Sequence, residues 1–212
     1  MKTIILDSDD FSLENNQFFY LDKLKEHYPN LKISMFYIPW DYRYYPQVLD
    51  FQREEALKMI KERLDWIELI PHGLSHKDRE FEHVRYEDLD LVFSGIHEVF
   101  EHYNLPYIKG FKAPQWLYNE DLVKYLDEKG WWLAVDRNQP NAPRTQKFYE
   151  YNYSIDEPFW NAKEDVLKLH SHISLPSTNN IPDNMLNLMK MPRDAEFKFI
   201  SEYMYEKNSS VV

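Results

Sequence analysis

The chain contains no cysteine, which excludes a disulfide framework and a thiolate zinc site and leaves histidine and carboxylate as the available metal ligands. Positive charge is also scarce: 25 Lys and Arg stand against 36 Asp and Glu, for a formal charge of -11. That sign repels phosphate backbones and anionic lipid, so neither nucleic acid nor a membrane is an expected partner. No apolar run is long enough to span a bilayer. One Lys and four further residues before Asp7 are too short for the apolar stretch of a signal peptide. The expectation is a soluble, cytoplasmic protein. Repeats and low-complexity segments are absent.

With 212 residues, 43% of them hydrophobic, the chain can bury a sizeable core. One domain over 1–206 with a loose tail at 207–212 is expected. Strand-like runs alternate with helical patterns, the signature of a parallel α/β arrangement. The spacing predicts helices at about 15–28, 53–64 and 86–103. In the last of these Leu89, Val92, Phe93, Ile96, Val99, Phe100 and Tyr103 form one apolar stripe. Asn119 is placed to cap a helix that stops at Gly130. Strands are predicted at 3–6, 31–38, 66–70, 107–111 and 131–135, with a long loop over 138–158 containing one strand at about 151–155. Closing helices are predicted at 181–191 and 195–205.

Polar clusters sit at three strand ends. Asp7-Ser8-Asp9-Asp10 follows Thr3-Ile4-Ile5-Leu6, His72-Gly73-Leu74-Ser75-His76 follows Trp66-Ile67-Glu68-Leu69-Ile70, and His170-Ser171-His172 follows Val166-Leu167-Lys168-Leu169. Two His four residues apart are by themselves a weak signal, since surface or capping imidazoles give the same pattern. Gly73 argues against a helix through the pair, so the motif turns off the strand end, where α/β folds carry function. His170 and His172 alternate and would share one face of a strand. The acidic cluster lacks the spacing of an EF-hand, because Phe11 and Ser12 fill its fifth and sixth positions. Asp7-Ser8-Asp9 is also similar to the opening motif of haloacid-dehalogenase-type phosphatases, with Asp7 as nucleophile and magnesium as cofactor, but that reading leaves both His clusters without a role. Capping of the first helix is the ordinary alternative.

The order of the clusters resembles the polysaccharide deacetylase family, the metal-dependent deacetylases grouped as carbohydrate esterase family four. The matching residues are Ser8-Asp9-Asp10, His72 to His76, Lys112-Ala113-Pro114 and Leu167 to His170, with Asp136 in the place of a fourth-motif acid. Three positions depart from the family pattern: Gly73 for Ser or Thr, Lys112 for Arg, and Phe11 for Gly. The resemblance implies a distorted (β/α) barrel with fewer than eight strands and a site at the C-terminal strand ends. It implies a divalent metal, zinc first, on Asp10, His72 and His76, and Asp9 as general base. His170 would be the general acid, with His172 in reserve or at the substrate. Lys112 would lie beside Asp9, and Asp136 would orient the imidazole or Lys112. Trp116 and Pro114 would contact substrate. The implied activity is removal of acetyl groups from an N-acetylated sugar or related N-acyl compound. The alternative from another class is a non-catalytic carbohydrate-binding descendant of the fold.

Overall fold

The computed structural model describes residues 1–41, 49–174 and 176–209. In chain order the elements are β1 (Thr3–Phe11), α1 (Phe18–His27), β2 (Ile33–Tyr37), α2 (Asp50–Lys61), β3 (Ile67–Pro71), α3 (Tyr86–Tyr103), β4 (Gly110–Phe111), α4 (Glu120–Glu128), β5 (Trp132–Val135), β6 (Phe148–Glu150), β7 (Tyr153–Ser154), β8 (Val166–His172), α5 (Ile181–Leu188), β9 (Glu196–Phe197) and α6 (Ile200–Ser209). The main parallel sheet has six strands, in the order β3-β2-β1-β8-β7 with β9 added on β1, and a second sheet runs β4-β5-β6. Ile108 and Lys112 donate backbone N–H groups to Leu69 and Pro71, joining the two sheets at β3 and β4. The wall is therefore a distorted barrel whose main sheet falls short of eight strands.

Period-2 alternation sorts the strand residues into two cores. Ile5, Phe36, Ile70, Trp132, Ala134 and Tyr149 point inward, and Ile200 and Met204 of α6 close that inner cluster. On the outer side, Ile4, Leu6, Ile33, Met35, Ile67 and Leu69 pack under the helices. α3 shows why the helical pattern is so legible: Leu89, Phe93, Ile96 and Phe100 recur on one face and are all buried. Each contributes roughly 1.5–3 kcal/mol relative to exposure. Asn104 ends that helix in the left-handed region at φ 50°, and Asn119 caps α4 by accepting the Leu122 N–H.

Two expectations fail near the C-terminus. The closing helix predicted from Ala195 begins only at Ile200, because Glu196 and Phe197 form a strand on Thr3 and Ile4 of β1. β2 pairs with β1 only from Leu6 onward, which leaves that backbone edge available. The helix then runs through Ser209, into the segment expected as a loose tail, while 210–212 lie outside the described residues. Among the described residues, no helix is long and apolar enough to cross a membrane.

Candidate metal centre and active site

The C-terminal end of β1 delivers three carboxylates. Asp7 and Asp9 lie in register with His170 and His172 of β8, so each acid stands beside an imidazole on the same face. Alternation would turn Asp10 to the other side. The register between β1 and β2 shifts after Ser8, and Asp10 adopts φ 65°, so the adjacent carboxylates of Asp9 and Asp10 serve one cleft.

Asp10 Oδ1 lies 3.1 Å from His76 Nε2 and 3.6 Å from His72 Nε2. The two rings come from the loop after β3, where Gly73 and His76 have φ of 70° and 56°. Glu80 organises that loop by accepting the N–H groups of Leu74, Ser75 and His76 at 3.2, 3.1 and 3.0 Å. A Cβ on Gly73 would meet Glu80 Oε2 at 2.4 Å and Pro114 Cγ at 2.7 Å, which is why glycine stands where Ser or Thr was expected. His72 Nδ1 donates to the Lys112 carbonyl at 3.0 Å, and this leaves an Nε2 lone pair for the cleft. Burial alone would raise the Asp10 carboxyl, but hydrogen bonds from His72 and His76 and their charge carry it well below the usual carboxylate range. Two imidazole nitrogens and one ionised carboxylate converging at this spacing fit a divalent metal with open positions.

Lys112 is fully buried, and its ammonium is hydrogen-bonded to Asp9 Oδ2. Its Nζ stands 3.6 Å from the Trp116 ring centre and 5.0 Å from that of Phe36, an apolar slot that fits a slender side chain. Burial pushes the ammonium down, opposed by the charges of Asp9, Asp7 and Asp10. For Asp9, burial works upward, but the charges of Lys112, His170, His72 and His172 outweigh it and hold the carboxyl at about 2. Asp9 is thus ionised, and its other oxygen, Oδ1, is buried with no hydrogen-bond partner among the described residues.

His170 Nδ1 lies 2.6 Å from Asp7 Oδ1, and its Nε2 is 3.8 Å from Asp9 Oδ2. Tyr149 OH donates to Asp7 Oδ2 at 3.0 Å. Both carboxylate oxygens of Asp7 are therefore engaged in a residue only 1% exposed, which removes it as a phosphatase nucleophile. His172 Nδ1 pairs with Asn179 Oδ1 at 2.8 Å, and its Nε2 is also 3.8 Å from Asp9 Oδ2. Burial pushes the His172 imidazole below its ordinary value.

Two expected contacts are replaced. Asp136 binds Tyr151 OH at 2.9 Å and the Asn138 backbone at 3.0 Å, and its expected partners are held by Asp7 and Asp9 instead. The reason is topological: Asp7 sits beside His170 on the neighbouring strand, whereas Asp136 lies beyond β5 and reaches His170 only through the Tyr151 ring, 4.7 Å away. Pro114 is buried against Gly73 and offers nothing to a ligand. Trp116 remains partly exposed, with its ring 5.5 Å from that of His170. Glu80, Tyr149 and Asn179 were missed. For Asp7 the signal was present, since it shares the parity of Asp9.

No protein-family model and no curated protein sequence matches the chain. Its structure matches a family 4 acetyl xylan esterase from Clostridium thermocellum solved with a cobalt ion, with a TM-score of 0.63, 17% identity, and coverage of 98% of this chain and 92% of that one. The fold is that of carbohydrate esterase family four. The chitin deacetylase of Colletotrichum lindemuthianum matches with a TM-score of 0.61 and 14% identity over 94% of this chain and 86% of that one. A family four pseudoenzyme from Bacillus anthracis matches with a TM-score of 0.59 and 13% identity over 96% of this chain and 65% of that one. The family four fold thus spans active and inactive proteins, and what separates them must be sought in the side chains of the site.

Proposed function

We propose that the protein is a divergent family four deacetylase that hydrolyses the acetamide of an N-acetylated sugar or a related N-acyl compound. The observation that carries this reading is the convergence of Asp10, His72 and His76 beside an ionised Asp9 and a carboxylate-anchored His170. A divalent metal, zinc first, on Asp10, His72 and His76 would supply Lewis acidity for the acyl carbonyl and acidify a water. Asp9 takes the proton from the attacking water. Lys112 keeps that carboxylate ionised at some cost in basicity. His170, fixed through Nδ1 by Asp7, delivers a proton from Nε2 to the departing amine. The partly exposed Trp116 offers an apolar ring beside His170 for a sugar face.

The altered third motif favours a second reading, a carbohydrate-binding protein without turnover. Acetate release from an N-acetylglucosamine oligomer decides between them. The deacetylase reading expects release that stops on chelation, returns with zinc, and stays lost in His76→Ala. Oligomer binding without acetate release at any metal loading would favour the binding protein.

A further inference from the structure

We propose that Asp9, His170 and His172 form a second divalent-cation site, filled after the first, whose occupation switches the active site off. One ligand atom from each of the three residues lies within 4.8 Å of the others. The two Nε2 atoms are each 3.8 Å from Asp9 Oδ2. Their Nδ1 atoms face oxygen acceptors, Asp7 Oδ1 at 2.6 Å and Asn179 Oδ1 at 2.8 Å, so in the neutral rings Nδ1 carries the proton and each Nε2 presents a lone pair. Rings anchored at Nδ1 and open at Nε2 are the arrangement a metal-binding imidazole needs. Independently, Asp9 is 3% exposed and its Oδ1 has no hydrogen-bond partner among the described residues, so the carboxylate retains unused capacity for a cation. Two imidazoles and one carboxylate match the donor set of the Asp10, His72 and His76 group and suit the same ions.

The order of filling follows from charge. The Lys112 ammonium is hydrogen-bonded to Asp9 itself, and its charge interaction with Asp10 is weaker than that with Asp9. A dication between Asp9 and the β8 histidines is repelled by that ammonium at close range, so this site binds more weakly. Resting on the proposed function, the consequence is inhibition: a cation there takes the carboxylate and the imidazole that serve as base and acid.

Zinc titration of the metal-free chain, read as bound metal by equilibrium dialysis and in parallel as turnover, tests this. Wild type should bind two zinc ions, with turnover rising to the first equivalent and falling as the second binds. His172→Ala should bind one and lose the falling phase, and His172→Gln should do the same if the alanine variant folds poorly. His76→Ala should keep only the weaker ion. Lys112→Met should tighten the second site by about tenfold or more, because a unit charge close by is removed. One zinc in wild type, lost in His76→Ala and kept in His172→Ala, would overturn the second site and leave the proposed function standing. One zinc lost in His172→Ala and kept in His76→Ala would sustain this site and overturn the metal assignment of the proposed function. A rise in turnover at the second equivalent would overturn the inhibitory role.

Discussion

Asp7 Oδ1 and His170 Nδ1 lie 2.6 Å apart, an acid and an imidazole paired across adjacent parallel strands. The contact holds a proton on Nδ1 and aims Nε2, the nitrogen that passes a proton to the departing amine, at the cleft. Asp7→Ala should lower kcat by about 10²-fold with little change in KM, since partners of this kind are worth roughly 10–100-fold. Asp7→Asn can still accept from Nδ1, so it should retain much of the activity. Steady-state kinetics on both variants check this, and an alanine variant as active as wild type would remove Asp7 from the mechanism.

Asp9 and Lys112 make a second pair with a different consequence. Asp9→Asn should retain zinc at Asp10, His72 and His76 while kcat falls about 10²-fold or more. The Lys112 charge helps to hold Asp9 at about 2, so Lys112→Met raises that pKa and moves the acidic limb of the pH–rate profile to higher pH. Lys112→Arg must force a larger head into the slot between Phe36 and Trp116, at about 1–3 kcal/mol of stability. An unmoved acidic limb in Lys112→Met would show that another group controls it.

Much of this site was legible because alternation and strand ends are local properties. α3 and the cap at Asn119 follow from spacing alone, whereas the grouping of Asp10 with His72 and His76 came only through the resemblance to carbohydrate esterase family four. What the sequence hid depends on neighbours far away in the chain. Asp7 meets His170 across 163 positions because β8 lies beside β1, and no local pattern states that adjacency. Glu80 could not be told from Asp78 or Glu82 until the loop showed three N–H groups aimed at one carboxylate. The strand at Glu196 was hidden because Phe197, Ile200 and Met204 also fit helical spacing.

Gly73 joins the left-handed backbone to the tightest packing in the site. Gly73→Ala must relieve contacts to Glu80 and Pro114 and tolerate φ 70°, so a loss of about 1–3 kcal/mol is expected. Because the same loop carries His72 and His76, zinc affinity should fall with the melting temperature. Thermal melts with and without zinc measure both, and an unchanged zinc affinity would separate the glycine from the metal loop.

At the opposite end of the barrel, Glu68 accepts hydrogen bonds from Ser34 Oγ at 2.6 Å and Ser201 N at 3.2 Å. Burial raises its pKa despite these bonds from Ser201 and Ser34. A carboxyl raised in the folded state contributes stability that is complete below its unfolded value of 4.5 and is lost as pH rises through the folded value. Glu68→Gln removes that titration. Its melting temperature relative to wild type should improve from pH 4 toward neutrality, and a constant difference across that range would show that Glu68 does not titrate there.

The proposed mechanism depends on a catalytic metal held by Asp10, His72 and His76. Zinc-edge anomalous diffraction from crystals loaded with one equivalent tests it most directly. A single peak among those three side chains is expected, with ligand atoms at about 2.0–2.2 Å. A peak between Asp9, His170 and His172 at one equivalent, with the first three residues unliganded, would contradict it.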